Sequence, residues 1–233
     1  MNFSFFKVFL IFCFFVFSLS LDGQHFRAGA KGGLTATKIS GDRDPDGGRP
    51  RLGMYASIFT NYPVSEKSHW QLELMYIQKG SRAYMSGIEP DEEYRDYKLD
   101  LHYVEIPIIY NYYLSDISSI DYIDRLTIEA GLSFASVIGH YEEKNGSDIT
   151  NREAEAKPFN WGELNAIAGL YYPMFENLEF HFRFSQGVTP VRPHGTEGGA
   201  SGTWWQWINQ FGQYNTAFSV GLSYTLFLRP ATL

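Results

Sequence analysis

Apolar and polar residues alternate along most of this chain, and eight alternating stretches stand out: residues 26–39, 51–62, 69–83, 97–113, 125–140, 159–173, 177–188 and 214–228. A period of two puts successive side chains on opposite faces of a β-strand. In the third stretch Leu72, Leu74 and Tyr76 share one face and Gln71, Glu73 and Lys79 the other. The fifth sets Leu126, Ile128, Leu132 and Phe134 against Thr127, Glu129 and Ser133, and the seventh sets Leu178, Phe180, Phe182 and Phe184 against Glu179, His181, Arg183 and Ser185. The eighth repeats the pattern, with Phe218, Val220, Leu222, Tyr224 and Leu226 opposite Ser219, Gly221, Ser223 and Thr225. The connections alternate as well. Those around 40–50, 84–96, 141–158 and 189–213 are long, polar and rich in Gly, Asp or Glu, and those around 63–68, 114–124 and 174–176 are generally shorter.

An even number of strands joined by alternately short and long connections predicts an all-β, eight-stranded, antiparallel up-and-down transmembrane β-barrel. The same period in a soluble sandwich or lipocalin-like barrel would put the apolar face inside. The outward faces are large and aromatic, which favours lipid. Trp70, Tyr112, Tyr172 and Phe227 at one set of strand ends, with Tyr84, Tyr97, Trp161 and Tyr214 at the other, predict two interfacial belts. With the chain entering from the periplasm, every long connection falls on the extracellular side. The fourth strand breaks phase: Leu99, Leu101 and Tyr103 hold one face, then Val104, Ile106, Ile108 and Tyr110 the other, which predicts a bulge near Tyr103. Pro107 has no N–H for the ladder and predicts a local irregularity.

The first residues set the compartment. Lys7 precedes an apolar run from Val8 to Phe17, too short for the roughly 20 residues that span a bilayer, and Ser18 and Ser20 supply small residues at a peptidase's spacing. Residues 1–20 read as a signal peptide and 21–233 as one outer-membrane barrel domain. Cleavage removes Cys13, the single cysteine, and with it any disulfide, thiolate nucleophile or cysteine-based metal site. It also leaves 18 basic against 26 acidic side chains, a net charge of −8, which argues against nucleic acid as a partner. Outer-membrane lipid is the expected partner.

Three elements resemble the PorT-like outer-membrane β-barrel family: Gly29-Ala30-Lys31-Gly32-Gly33-Leu34, the run from Gln71 through Glu73 and Tyr76 to Gln78-Lys79-Gly80, and Tyr103-Val104-Glu105-Ile106-Pro107. The resemblance covers essentially all of residues 21–233 and implies a small Gram-negative outer-membrane barrel of eight strands. It implies little about activity, since most members have none assigned. The founding member is tied to a secretion pathway for surface proteins, so envelope or secretion-pathway proteins are the implied partners. Many outer-membrane barrels end on an aromatic residue, whereas Phe227 is followed by Leu228-Arg229-Pro230-Ala231-Thr232-Leu233.

Candidate chemistry lies on the lumen face, where the alternation places Lys31, Glu73, Lys79, Glu105, Glu129, Glu163, Glu179, His181 and Arg183. An eight-stranded barrel is just wide enough for side chains to fill it. These charges must therefore pair with one another and with trapped water, forming a plug. Five acids against fewer bases imply a protonated carboxylate or a bound cation. Asp42-Arg43-Asp44-Pro45-Asp46-Gly47 begins like a calcium loop, but Gly53 stands where the bidentate Glu belongs, so no metal site is expected. His102, His140 and His194 near the outer mouth, with Asp100, Glu142, Ser147 or Ser201, would be the raw material of a rim enzyme, but no nucleophile motif frames a serine. No catalytic residue and no cofactor is expected. In the last long connection Gly198-Gly199-Ala200-Ser201-Gly202 leads into Trp204, Trp205 and Trp207, the best candidates for contact with a ligand or protein. The expected role is a structural or interaction component, with a narrow channel or ligand-binding barrel as the alternative and a rim enzyme third.

Overall fold

Alternation of this kind needs a partner on both edges of every strand, and the chain supplies one by closing on itself. The computed structural model describes residues 26–40, 49–85, 95–115, 121–144, 146–150, 159–191 and 214–226. Among these residues eight strands form the wall: β1 (Arg27–Ser40), β2 (Arg49–Ser65), β3 (Ser68–Met85), β4 (Arg95–Tyr113), β5 (Thr127–Lys144), β6 (Gly162–Pro173), β7 (Leu178–Gly187) and β8 (Tyr214–Leu226). A helical turn, Asp121–Asp124, precedes β5, and a two-residue strand, Ser147–Asp148, folds back on its far end. Each wall strand pairs antiparallel with its sequence neighbours, and β1 pairs β8 from Ala28↔Leu226 to Ser40↔Tyr214. Closure leaves no edge, as hydrocarbon requires.

The strand faces follow the sequence. Leu34, Ile58, Leu72, Leu74, Ile106, Ile108, Leu132, Leu164, Phe180, Val220 and Leu222 stand exposed on the outside. Lys31, Glu73, Glu129, His181, Arg183, Ser219 and Ser223 are buried within. No helix among the described residues is long and apolar enough to cross a membrane. At the short-turn end Trp70 packs on Tyr110 with ring centroids 5.1 Å apart, and Arg125 lies 5.5 Å from the Tyr172 ring. With Tyr112, they form one aromatic belt. The other belt is thinner than expected. Trp161 is exposed and packs edge-on against Phe134, but Tyr214 is buried, and the side chains of Tyr84 and Tyr97, like that of Phe227 expected in the first belt, lie outside the described residues.

The phase break in the fourth strand has a different cause from a bulge in that strand. Leu99, Leu101, Tyr103, Glu105, Ile109 and Asn111 all point inward in unbroken alternation, and Ile106 and Ile108 face out. The change lies in the lumen, where Ile39, Ile77, Leu99 and Leu101 cluster toward the long-loop end beside buried Ser81 and Glu142, the cross-strand partners of Leu99. The extra residue sits across the ladder in β5, where His102 pairs Gly139 and Tyr103 pairs Val137, leaving Ile138 unmatched. Pro107 interrupts the ladder to β3 between Leu72↔Ile108 and Met75↔Glu105 without a register shift, while its pairing to Ser133 continues. One glycine is demanded by the wall itself: Gly80 has a φ of 153°, and a Cβ there would lie 2.1 Å from the Leu99 carbonyl oxygen.

Candidate functional site

Four layers fill the bore. A polar vestibule of about 160 Å³ opens at the short-turn end. Above it lies one charged layer, then a second, and the long-loop end is stoppered by Ile39, Ile77, Leu99, Leu101 and Val191, all buried. The stopper was not expected, since the lumen was read as polar throughout.

The lower charged layer is centred on Arg183 of β7. Its Nη1 and Nη2 donate to Glu73 of β3 at 3.1 and 2.7 Å, and its Nε and Nη2 donate to Glu129 of β5 at 2.7 and 2.8 Å. The planar guanidinium fork thus ties two carboxylates from different strands. Lys31 of β1 donates to Glu73 at 2.6 Å and to the Tyr171 hydroxyl, and its ammonium sits 4.8 Å from the Tyr171 ring centroid. Tyr171 in turn donates to Glu129 at 2.8 Å, and Gln71 donates to Glu73. His181 lies 3.1 Å from Glu129 through Nε2 and 3.1 Å from the Tyr55 hydroxyl through Nδ1, with its ring stacked on Tyr171 at 4.5 Å. Two acids meet two bases, so the layer is neutral by formal count.

The upper layer is built around Lys79 of β3. Its ammonium lies 3.2 Å from Glu105 and 3.9 Å from Glu163, and 4.9 Å from the Tyr103 ring centroid. Asn215 donates to Glu163 at 2.8 Å and to the Tyr103 hydroxyl at 3.0 Å, and Ser133 donates to Glu105. Two carboxylates share one lysine, so the formal count is one negative charge in excess. Glu105 Oε2, Glu163 Oε1, Asn165 Nδ2 and Asn215 Oδ1 are buried without a hydrogen-bond partner.

Of the nine charged residues expected in the lumen, the structure gathers four carboxylates, two lysines, His181 and Arg183 into these layers. Glu179 stands apart, half-buried in the vestibule wall. Trp204, Trp205, Trp207, His194, Ser201 and Asp42–Gly47 lie outside the described residues. His102 and His140 do not converge: His102 faces outward and hydrogen-bonds Tyr76 at 2.6 Å, while His140, paired with inward-facing Leu101, packs on Phe159. Asp100 is ion-paired with Arg51. No group of three His, Cys, Asp or Glu side chains among the described residues is arranged to hold a metal.

Reading charges alone missed Tyr55, Gln71, Tyr103, Tyr171, Asn165 and Asn215, which satisfy or brace the ions. Their parity was the available signal, since each shares the inward phase of its strand. It also missed the glycines that make room. A Cβ on Gly169 would lie 2.5 Å from Glu129 Oε1, and one on Gly221 would lie 2.6 Å from the Tyr55 hydroxyl.

A closed eight-stranded barrel with a lipid-facing apolar band and an ion-paired bore defines an outer-membrane barrel protein. Residues 20–192 match the outer membrane protein beta-barrel domain family, and the chain belongs to it. No curated protein matches the chain. Among solved structures, Neisserial surface protein A is 13% identical with a TM-score of 0.45, covering 86% of this chain and 97% of its own. OprG from Pseudomonas aeruginosa is 14% identical with a TM-score of 0.43 over 87% and 96% of the two chains. The attachment invasion locus protein Ail of Yersinia pestis is 10% identical with a TM-score of 0.42 over 87% and 100%. The protein resides in the outer membrane, against lipid.

Proposed function

We propose that this barrel acts by structure and contact in the outer membrane and conducts no solute through its bore. The observation that supports this is the packing across the lumen, where Lys79, Leu101, Tyr103 and His181 are each 0% exposed. A path for ions would have to break two charged layers and then cross the apolar stopper, and burial of an ion against such walls costs several kcal/mol. Residues 1–20 serve as the signal peptide and 21–233 as the barrel. The PorT-like resemblance supports a place beside a secretion or envelope-assembly pathway, with Trp204, Trp205 and Trp207 as the contact surface on the long-loop side. No catalytic role is assigned to it.

Reconstitution in a planar bilayer is expected to give no discrete current steps, and cross-linking in native envelopes is expected to capture a protein neighbour lost on Trp204→Ala, Trp205→Ala or Trp207→Ala. Steady single-channel steps would overturn the non-conducting reading. Capture unchanged in all three variants would move the contact surface elsewhere.

A further inference from the structure

The vestibule at the short-turn end is built like a binding site and lies below the ion-pair layers, sharing only its floor with them. We propose that it receives the amino end of an extended peptide from the periplasm, with Asn111 reading the backbone and Glu179 the terminal ammonium. The assignment goes beyond the non-conducting reading and does not depend on it.

Asn111 carries the argument. It lies on β4, is 0% exposed, lines the cavity, and neither its Oδ1 nor its Nδ2 has a hydrogen-bond partner. Asn61 Oδ1, which lines the same cavity, is also buried without one. Leaving such groups unmet is costly, so the wall holds donors and acceptors in reserve. A residue of an extended chain turns its N–H and C=O toward the same side, which offers a carboxamide an acceptor and a donor together.

Shape and charge narrow the occupant further. The cavity of about 160 Å³ is near the size that admits a benzene-sized guest. Its floor is Gln71 and Tyr171, both tied into the lower charged layer, so it is closed below and admits a chain end, not a threaded chain. At the rim the formal charges are Arg27 against Glu176 and Glu179, an acidic balance that favours an ammonium over a carboxylate. Glu179 forms no ion pair with a described residue. The lining side chains stand largely on wall strands, which pre-organises the site. Outer-membrane barrels keep their short turns in the periplasm, where peptide ends are present.

The test uses the full-length protein folded in lipid nanodiscs, with tri-alanine amide as the probe and its N-acetylated form as the control. Titration followed by the backbone amide resonances of Asn61, Gln71 and Thr127, which line the cavity and are present in every variant, is expected to saturate. Acetylation and Glu179→Gln are each expected to weaken binding about tenfold, and Asn111→Leu to abolish it. Heat-modifiable gel migration establishes that each variant is folded, and Asn111→Ser replaces Asn111→Leu should that variant fail to close. No saturable shift, meaning a cavity that holds water only, overturns the proposal. So does binding unaffected by loss of the Asn111 carboxamide or by acetylation. Current steps in the planar bilayer would overturn the non-conducting reading alone, and a silent titration would overturn this site alone.

Discussion

The two charged layers occupy one bore and use the same residue types, yet the lower one closes and the upper one does not. Below, Glu73 and Glu129 each have both oxygens engaged, because Arg183 spans them with Lys31 and Tyr171 in support. Above, Lys79 lies 3.2 Å from Glu105 Oε2 but only at 3.9 Å from Glu163 Oε1, and neither oxygen, nor Asn165 Nδ2 or Asn215 Oδ1, has a hydrogen-bond partner. The difference is the geometry of the cation. A guanidinium offers five N–H donors in a fixed plane and serves two carboxylates at once, whereas an ammonium offers three on one atom. Side-chain count alone does not satisfy a buried cluster; the number and direction of donors do.

The largest effect expected from this contrast comes from Arg183→Met. It leaves Glu73 and Glu129 with Lys31 as their one remaining cation and strands carboxylate oxygens in the bore. Breaking a buried pair in this way costs about 3–5 kcal/mol. Urea unfolding in lipid vesicles measures it. Arg183→Lys keeps the charge and loses the fork, so its cost should fall between wild type and Arg183→Met. A loss below about 1 kcal/mol for Arg183→Met would break the comparison, since the lower layer would then owe little to its arginine.

Much of this was legible in the alternation and part was not, for physical reasons. Period two settles which residues face the lumen, so Lys31, Glu73, Glu129, His181 and Arg183 could be placed there before any contact was known. It does not settle who meets whom. The Arg183–Glu73 pair joins residues 110 apart in sequence, from strands that face each other only once the sheet has closed at a particular stagger. The stopper escaped for a related reason. Leu99 and Leu101 break the polar rule for an inward face, and an apolar segment of lumen looks in sequence like a switch of faces. The unmatched Ile138 was invisible because a bulge is a relation between two strands. Tyr214 was placed in the outer belt because it sits at a strand end, and the structure buries it.

A smaller effect tests whether the lower layer is fitted as well as paired. Gly169 lies beside Glu129, and a Cβ there would sit 2.4 Å from the Phe182 carbonyl oxygen and 2.5 Å from Glu129 Oε1. The backbone oxygen cannot swing away, so Gly169→Ala must shift the wall or displace the carboxylate from Arg183. Overpacking of this kind costs about 1–3 kcal/mol. Gly139 serves as the control. A Cβ there meets nothing closer than 3.8 Å, so Gly139→Ala is expected to unfold at the same urea concentration as wild type. Equal behaviour of the two variants would mean that the charged layer tolerates displacement.

The smallest effect is the sharpest, because the two layers then respond unequally to one chemical change. Glu163→Gln keeps the shape, removes the formal charge in excess of Lys79, and retains a carbonyl oxygen for the 2.8 Å bond from Asn215. Its amide also brings donors to a layer whose buried Glu105 Oε2 and Asn215 Oδ1 lack hydrogen-bond partners. The cost of losing a distant ion-pair partner is thus offset, and stability should stay within about 1 kcal/mol of wild type. Glu129→Gln makes the same change where the count is balanced and the oxygens are filled, placing an amide N–H₂ where an acceptor is needed by Arg183, Tyr171 or His181. That variant should lose several times more in the same urea titration. If both lose equally, the surplus charge of the upper layer carries no energetic consequence, and the two layers differ in geometry alone.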